Sequence, residues 1–186
     1  MTQSQNYAQL GRFISLVLRH NPSAAGITLD ENGWADTRQL LAGMNSHGRR
    51  IDMTTLERIV QQNNKQRYSF NQDRTKIRAN QGHSIDVDVE LTPSTPPSVL
   101  YHGTAEQFLH SIQQQGITRQ LRQYVHLSAD VSSAISVGKR HGRAVVLRID
   151  AAAMVRDGFS FWLSANGVWL CSEIPWRYAS VEANIP

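Results

Sequence analysis

Apolar positions recur at helical spacing near the start of the chain. Leu10, Phe13, Ile14, Val17 and Leu18 would share one face, and the helix they predict must end before Pro22. A second short helix carries Leu40, Leu41 and Met44, with Asp36 or Thr37 as its cap. Thr54 and Glu57 stand three apart, the spacing of a capping box, ahead of Ile59 and Val60. The period then changes to two. Arg67-Tyr68-Ser69-Phe70 alternates, Asn71-Gln72-Asp73 makes a polar turn, and Lys76-Ile77-Arg78-Ala79 alternates again.

Three short helices followed by a basic hairpin describe a winged-helix-like unit over residues 1–92. Such units bind nucleic acid or protein, and the pattern alone does not choose. The connector is read at 93–98, where Pro93, Pro96 and Pro97 stand among Ser and Thr and no helix can continue. Beyond it, residues 99–186 mix short apolar strands with short helices. The strand candidates are Val99-Leu100-Tyr101, Val125-His126-Leu127, Ala144-Val145-Val146-Leu147 and Val168-Trp169-Leu170. Phe108, Leu109 and Ile112 suggest a helix closed by Gly116, and Asp130 to Val137 a second one ending at Gly138. The fold class is α+β in two lobes.

The composition is that of a globular protein, with 40% hydrophobic and 18% charged residues in 186. No stretch approaches the roughly 18 apolar residues of a membrane span. The first residues lack the features of a signal peptide, so a cytoplasmic protein is expected. The single cysteine, Cys171, excludes an internal disulfide and sits in an apolar run, as a packed thiol would. The seven histidines show no metal-ligating spacing, and no metal is expected.

Charge changes the picture more. Nineteen Lys and Arg against fifteen Asp and Glu give +4, and the excess is segregated. One basic segment runs from Lys65 to Arg78 and another from Arg119 to Arg148, separated by Asp86, Asp88 and Glu90. That arrangement suits a handler of phosphates, although two solvated faces would look the same.

Individual signals are ambiguous. Arg19-His20 closes a helix before Asn21-Pro22 and could project donors or simply complement the helix dipole. Arg67 could be a surface residue or a bidentate phosphate ligand. The run Arg78-Ala79-Asn80-Gln81-Gly82-His83-Ser84 is rich in hydrogen-bonding groups for a plain loop. In Tyr101-His102-Gly103-Thr104, Gly103 would let a ligand approach the backbone. Arg122, Tyr124, His126 and Ser128 fall on one strand face, either a solvated edge or a cleft wall. Gly138-Lys139-Arg140-His141-Gly142-Arg143 lacks the spacing of a P-loop or a dinucleotide fingerprint.

Their order along the chain is more specific. Leu18-Arg19-His20-Asn21-Pro22, Arg67-Tyr68-Ser69-Phe70, the Ile77–Ser84 segment, Tyr101-His102-Gly103-Thr104, Val125-His126-Leu127-Ser128 and Asn166-Gly167-Val168-Trp169-Leu170 together resemble RNA 2′-phosphotransferases of the KptA type, from about Leu10 to Tyr178. The resemblance implies a winged-helix lobe for RNA and an ADP-ribosyltransferase-like lobe for NAD⁺, consumed as co-substrate. It implies a reaction in which an internal, tRNA-like RNA 2′-phosphate attacks the nicotinamide ribose and is then released as ADP-ribose 1″,2″-cyclic phosphate. By motif, Arg19, His20, Arg67 and Arg122 resemble the catalytic set. His102, Gly103, Thr104, His126, Ser128, Gly138, Arg140 and His141 would line the NAD⁺ pocket. Arg19, Arg67, Arg78, Gln81, His83 and Ser84 would meet the RNA phosphate. A monomer would suffice.

Two departures stand out. Tyr124 occupies the position of the first histidine in the family's Arg-x-His-Val-His-Leu-Ser pattern, and Arg119 competes with Arg122 for the third arginine role. The alternatives are transfer of ADP-ribose to terminal phosphates of RNA or DNA, and a non-catalytic winged-helix RNA-binding protein.

Overall fold

Leu10, Ile14, Val17 and Leu18 form the buried face of α1 (Gln3–Arg19). The helix gives way to a 3-10 turn, Pro22–Ala25, because proline has no amide hydrogen to continue the ladder. The computed structural model describes residues 3–183, and the chain divides into two compact units, Met1–Glu90 and Leu91–Pro186.

The first unit continues with β1 (Trp34–Asp36), α2 (Thr37–Ser46), α3 (Met53–Gln61), β2 (Tyr68–Phe70) and β3 (Lys76–Ala79). Its strands form one antiparallel sheet in the order β1-β3-β2. Asp36 caps α2 by accepting from the Gln39 amide at 2.8 Å. The α3 cap is Asp52, which accepts from the Thr55 amide at 2.7 Å, and not Thr54. Asp52 holds the extended conformation that aims a short carboxylate at the first turn, whereas Thr54 already lies inside it. Strand β1 escapes the hydrophobic pattern because pairing with β3, Trp34 opposite Arg78, is what makes it a strand. The core gathers α1 with Leu40, Met44, Leu56, Ile59, Tyr68 and Ile77.

The second unit contains β4 (Val99–Ala105), α4 (Glu106–Gln115), β5 (Ile117–Thr118), β6 (Val125–Leu127), α5 (Val131–Gly138), β7 (Ala144–Asp150) and α6 (Ala151–Arg156). Then follow β8 (Trp162–Leu163), β9 (Trp169–Cys171), β10 (Glu173–Ile174) and β11 (Ala179–Val181). The strands pair as β11-β7-β4, β6-β9-β8 and β10-β5, all antiparallel. This is the α+β class. Pro93 and Ser94, read from the sequence as connector, pair with Trp162 and Phe161. Strand β9 sits one residue later than the apolar run suggested, which takes Cys171 into the core, where burial pushes its thiol pKa up to about 12. No helix among the described residues is long and apolar enough to cross a membrane.

Two glycines let α5 lie directly on the β4–β7 pair. A Cβ at Gly103 would sit 1.8 Å from the Ala134 carbonyl oxygen, and one at Gly138 would sit 2.4 Å from the Thr104 carbonyl oxygen. The space on the Cβ side of Gly103 is thus filled by the protein's own helix, and this packing by itself requires a glycine there. Gly103→Ala must push α5 off the sheet and is expected to cost at least about 2 kcal/mol, read as a lower urea midpoint.

Candidate functional site

In the first unit, α1 and the Asn80–Ser84 segment bring Arg19, His20 and Arg67 into one neighbourhood. The Ser84 amide donates to the Arg19 carbonyl at 3.0 Å, and His20 Nδ1 lies 2.9 Å from Ser84 Oγ. The Arg19 guanidinium rests on Gly82, where a Cβ would sit 3.6 Å from Nη1, and its Nη2 reaches to 3.5 Å from the Arg67 carbonyl oxygen. Gly82 has φ +88°, so this turn under Arg19 favours glycine.

Arg67 is held from both sides. Its Nη1 donates to Asn63 Oδ1 at 3.2 Å, while its carbonyl accepts from the Asn80 amide at 2.9 Å. The preceding residue, Gln66, has φ +40°, an unfavourable conformation for a side-chain-bearing residue. Two contacts over-determine it: its amide donates to the Asn63 carbonyl at 2.7 Å, and its carbonyl accepts from Asn80 Nδ2 at 2.6 Å. Asn80 Oδ1 also accepts from Ser69 Oγ at 2.8 Å. Asn63 and Asn80 are positioning residues; the sequence reading noted Asn80 only within its hydrogen-bonding run and did not single out Asn63. Their signal was faint: an Asn four before Arg67 and another beside Gln81.

The remaining residues expected to meet RNA are placed differently from one another. Ser84 is exposed and Gln81 half-buried. Arg78 is engaged within the protein, in an ion pair with Glu90 at 2.8 Å and with its guanidinium 4.4 Å from the centre of the Trp34 ring. His83 is 1% exposed, packed by Gly33, and neither ring nitrogen has a hydrogen-bond partner. It lies beneath the Arg19–His20 surface rather than on it. Burial, with the Arg19, His20 and Arg78 charges added, lowers its pKa from 6.5 to about 4, so the ring is neutral at physiological pH.

The second unit gathers another group. His102 Nδ1 donates to the His126 carbonyl at 3.1 Å, which makes Nδ1 the protonated nitrogen and leaves Nε2 as an acceptor. Burial lowers the His102 pKa, offset by that hydrogen bond and reinforced by the Arg122 charge. Arg122 Nη1 lies 3.4 Å from His126 Nδ1. The Arg122 pKa is itself lowered, first by desolvation and then by the neighbouring Arg140 charge. Ser128 is locked to Tyr101 by reciprocal backbone bonds of 2.9 and 2.8 Å, which aligns β6 with β4. Thr104 and Gly138 are buried, whereas Arg140 and His141 are exposed, with His141 edge-on to Phe108 at 6.4 Å. Among the described residues no group of three or more His, Cys, Asp or Glu could hold a metal ion.

The family model of RNA 2′-phosphotransferases, Tpt1 / KptA family, matches residues 5–173. The chain belongs to that family. Among curated relatives, a probable RNA 2′-phosphotransferase of Fusobacterium nucleatum is 52% identical over 93% of this chain and 97% of its own. Those of Flavobacterium johnsoniae and Hahella chejuensis are 47% and 50% identical, covering 97% and 94% of this chain and 100% and 94% of theirs. In this 2′-phosphotransferase-family chain, Tyr124 packs at a tilt against Trp162 of β8, with ring centres 5.2 Å apart.

The buried neutral His83 sets a pH dependence. The unfolded chain takes up its proton near 6.5 and the folded chain only near 4. Between these values the unfolded state binds more protons, so stability is complete above the upper value and is lost as pH falls toward the lower. The loss should reach up to about 3 kcal/mol. Denaturant titrations across this range are expected to show the fall in wild type and a flatter profile in His83→Gln.

Proposed function

We propose that this chain is an NAD⁺-dependent RNA 2′-phosphotransferase, with the first unit as a winged-helix-like RNA-binding lobe and the second as an ADP-ribosyltransferase-like NAD⁺-binding lobe. It would act in the cytoplasm as a monomer on an RNA carrying an internal 2′-phosphate. The observation that carries the reading is family membership across nearly the whole chain, together with the gathering of Arg19, His20 and Arg67 around the Gly82–Ser84 turn.

The residue types suit this chemistry. The RNA 2′-phosphate is already an anion, so no serine, cysteine or metal is required to generate a nucleophile. Bound NAD⁺ supplies an electrophilic ribose carbon and a nicotinamide leaving group. By motif, Arg19 and Arg67 of the first unit and Arg122 of the second belong to the catalytic set, and each keeps its charge through both steps, because guanidinium does not titrate in this range. Asn63 and Asn80 pre-set the Arg67 fork so that little is reorganised on binding. His20, held by Ser84, moves a proton at the ribose 2″-hydroxyl in the second step, when that oxygen attacks phosphorus and releases the RNA 2′-hydroxyl.

In this reading the second unit takes the pyrophosphate-bearing dinucleotide. The Arg140 charge acts on Arg122, and a phosphate between the two cations would offset their repulsion. His102 offers an acceptor and His126 a ring beside Arg122. Arg140 and His141 are read as contacts nearer the adenylate end, and Ser128 and Thr104 as part of the pocket wall.

In a single-turnover reaction, a short RNA with one internal 2′-phosphate is expected to lose it only when NAD⁺ is present, with release of nicotinamide and ADP-ribose cyclic phosphate. Arg67→Ala should slow this on the order of 10²-fold or more, and Arg67→Lys should not restore it, since a point charge cannot replace the fork. A stable ADP-ribosylated product from wild type, with no cyclic phosphate, would move the assignment to transfer onto another acceptor.

A further inference from the structure

The basic hairpin that dominates the sequence is largely neutralised in the fold. Arg74 pairs with Glu57 at 2.7 Å, Lys76 with Asp30 at 2.9 Å and Arg78 with Glu90 at 2.8 Å. The charge left open in the first unit lies elsewhere. An open groove of about 700 Å³ runs along α1 beside the turn between α2 and α3, lined by Arg12, Phe13, Leu16, Gly48, Arg49 and Arg50 among nine residues, none of them acidic. No ion pair among the described residues involves Arg12, Arg49 or Arg50. The nearest carboxylate in sequence, Asp52, is committed to capping α3.

The groove is also amphipathic. The Arg49 guanidinium stacks 3.6 Å from the centre of the Phe13 ring, which holds the planar fork in place and shields one of its faces. Leu16 is 41% exposed on the same stretch of helix. Arginines with no carboxylate partner beside an exposed apolar side chain suit a single-stranded nucleic acid, phosphates for the cations and ribose or base faces for the rest. The placement agrees: Arg12 and Leu16 lie on one face of α1, and His20 follows at the same spacing just past its end, its amide donating to the Leu16 carbonyl, so Arg12 and His20 are about 12 Å apart along the axis.

We propose that this groove is a second RNA-binding surface, which holds the strand flanking the modified nucleotide through Arg12, Arg49 and Arg50. The proposal rests on the phosphotransferase reading and specifies its substrate as an RNA longer than the nucleotides at the reacting phosphate.

The test compares wild type with Arg12→Ala/Arg50→Ala on two substrates: a 2′-phosphorylated dinucleotide and an oligonucleotide long enough to follow α1. The double variant should raise KM for the oligonucleotide about tenfold or more, with kcat unchanged, and leave the dinucleotide's KM and kcat as in wild type. Binding of an unphosphorylated oligonucleotide, measured by fluorescence anisotropy against salt, should weaken, with a salt slope lower by about 1.4 for two lost phosphate contacts to a single strand. Equal effects on both substrates would overturn the proposal in favour of a structural role, and so would unchanged oligonucleotide binding, as expected if the groove serves a protein. Failure of wild type to remove the phosphate, with groove-dependent RNA binding intact, would sink the catalytic reading and leave the surface standing.

Discussion

The seating of α1 on the β1-β3-β2 sheet is the contact on which the first unit's chemistry depends. Leu10, Ile14, Val17 and Leu18 are almost wholly removed from water, each stabilising the fold by about 1.5–3 kcal/mol. Tyr68 then converts a non-directional contact into a registered one. Its buried ring joins the same core, and its hydroxyl donates to the Gly11 carbonyl at 2.5 Å and bonds Ser15 Oγ. One residue away along β2 is Arg67, and at the end of α1 are Arg19 and His20. A slip of helix against strand would therefore separate Arg67 from Arg19 and His20, the groups proposed to act together.

Close to that contact the protein holds the Arg67 cation with a neutral group. Arg67 is oriented by the amides Asn63 and Asn80, and Arg19 lies over a glycine. The ring nearest beneath them, His83, remains uncharged because the site is dry and already positive. An arginine held by neutral partners keeps its full attraction for a phosphate, whereas one paired to a carboxylate must first give up a partner. The hairpin arginines are of the second kind. That difference, and not the local density of basic residues, separates the cations paired within the fold from those proposed to meet RNA.

The second unit solves a different problem. All three of its sheets join strands distant in sequence, and α5 lies directly on the β4–β7 pair because Gly103 of β4 and Gly138 of α5 leave room for the close approach. The reciprocal Tyr101–Ser128 bonds then carry β4 and β6 alongside one another, and with them His102 and His126.

Much of this was legible in the residues themselves. Periodicity located α1, α2 and the β2–β3 hairpin, because a helix face or a strand face is set by local spacing. Motif order located Arg19, His20, Arg67 and Arg122. Strands β1, β5, β8, β10 and β11 were not legible, since two or three residues carry no period of their own and become strands only by pairing. The α3 cap was misplaced by two residues for a similar reason, as Thr54 and Asp52 are both competent and backbone geometry chooses. What the sequence alone determined is which side chains could carry a phosphate chemistry and roughly where the elements that bear them lie. What tertiary structure alone decided is their state: Arg78 bound to Glu90, His83 buried and neutral, Arg12 beside Arg49 and Arg50 with no acidic partner. Each of these depends on a neighbour distant along the chain, and burial and charge pairing exist only once the chain has brought such neighbours together.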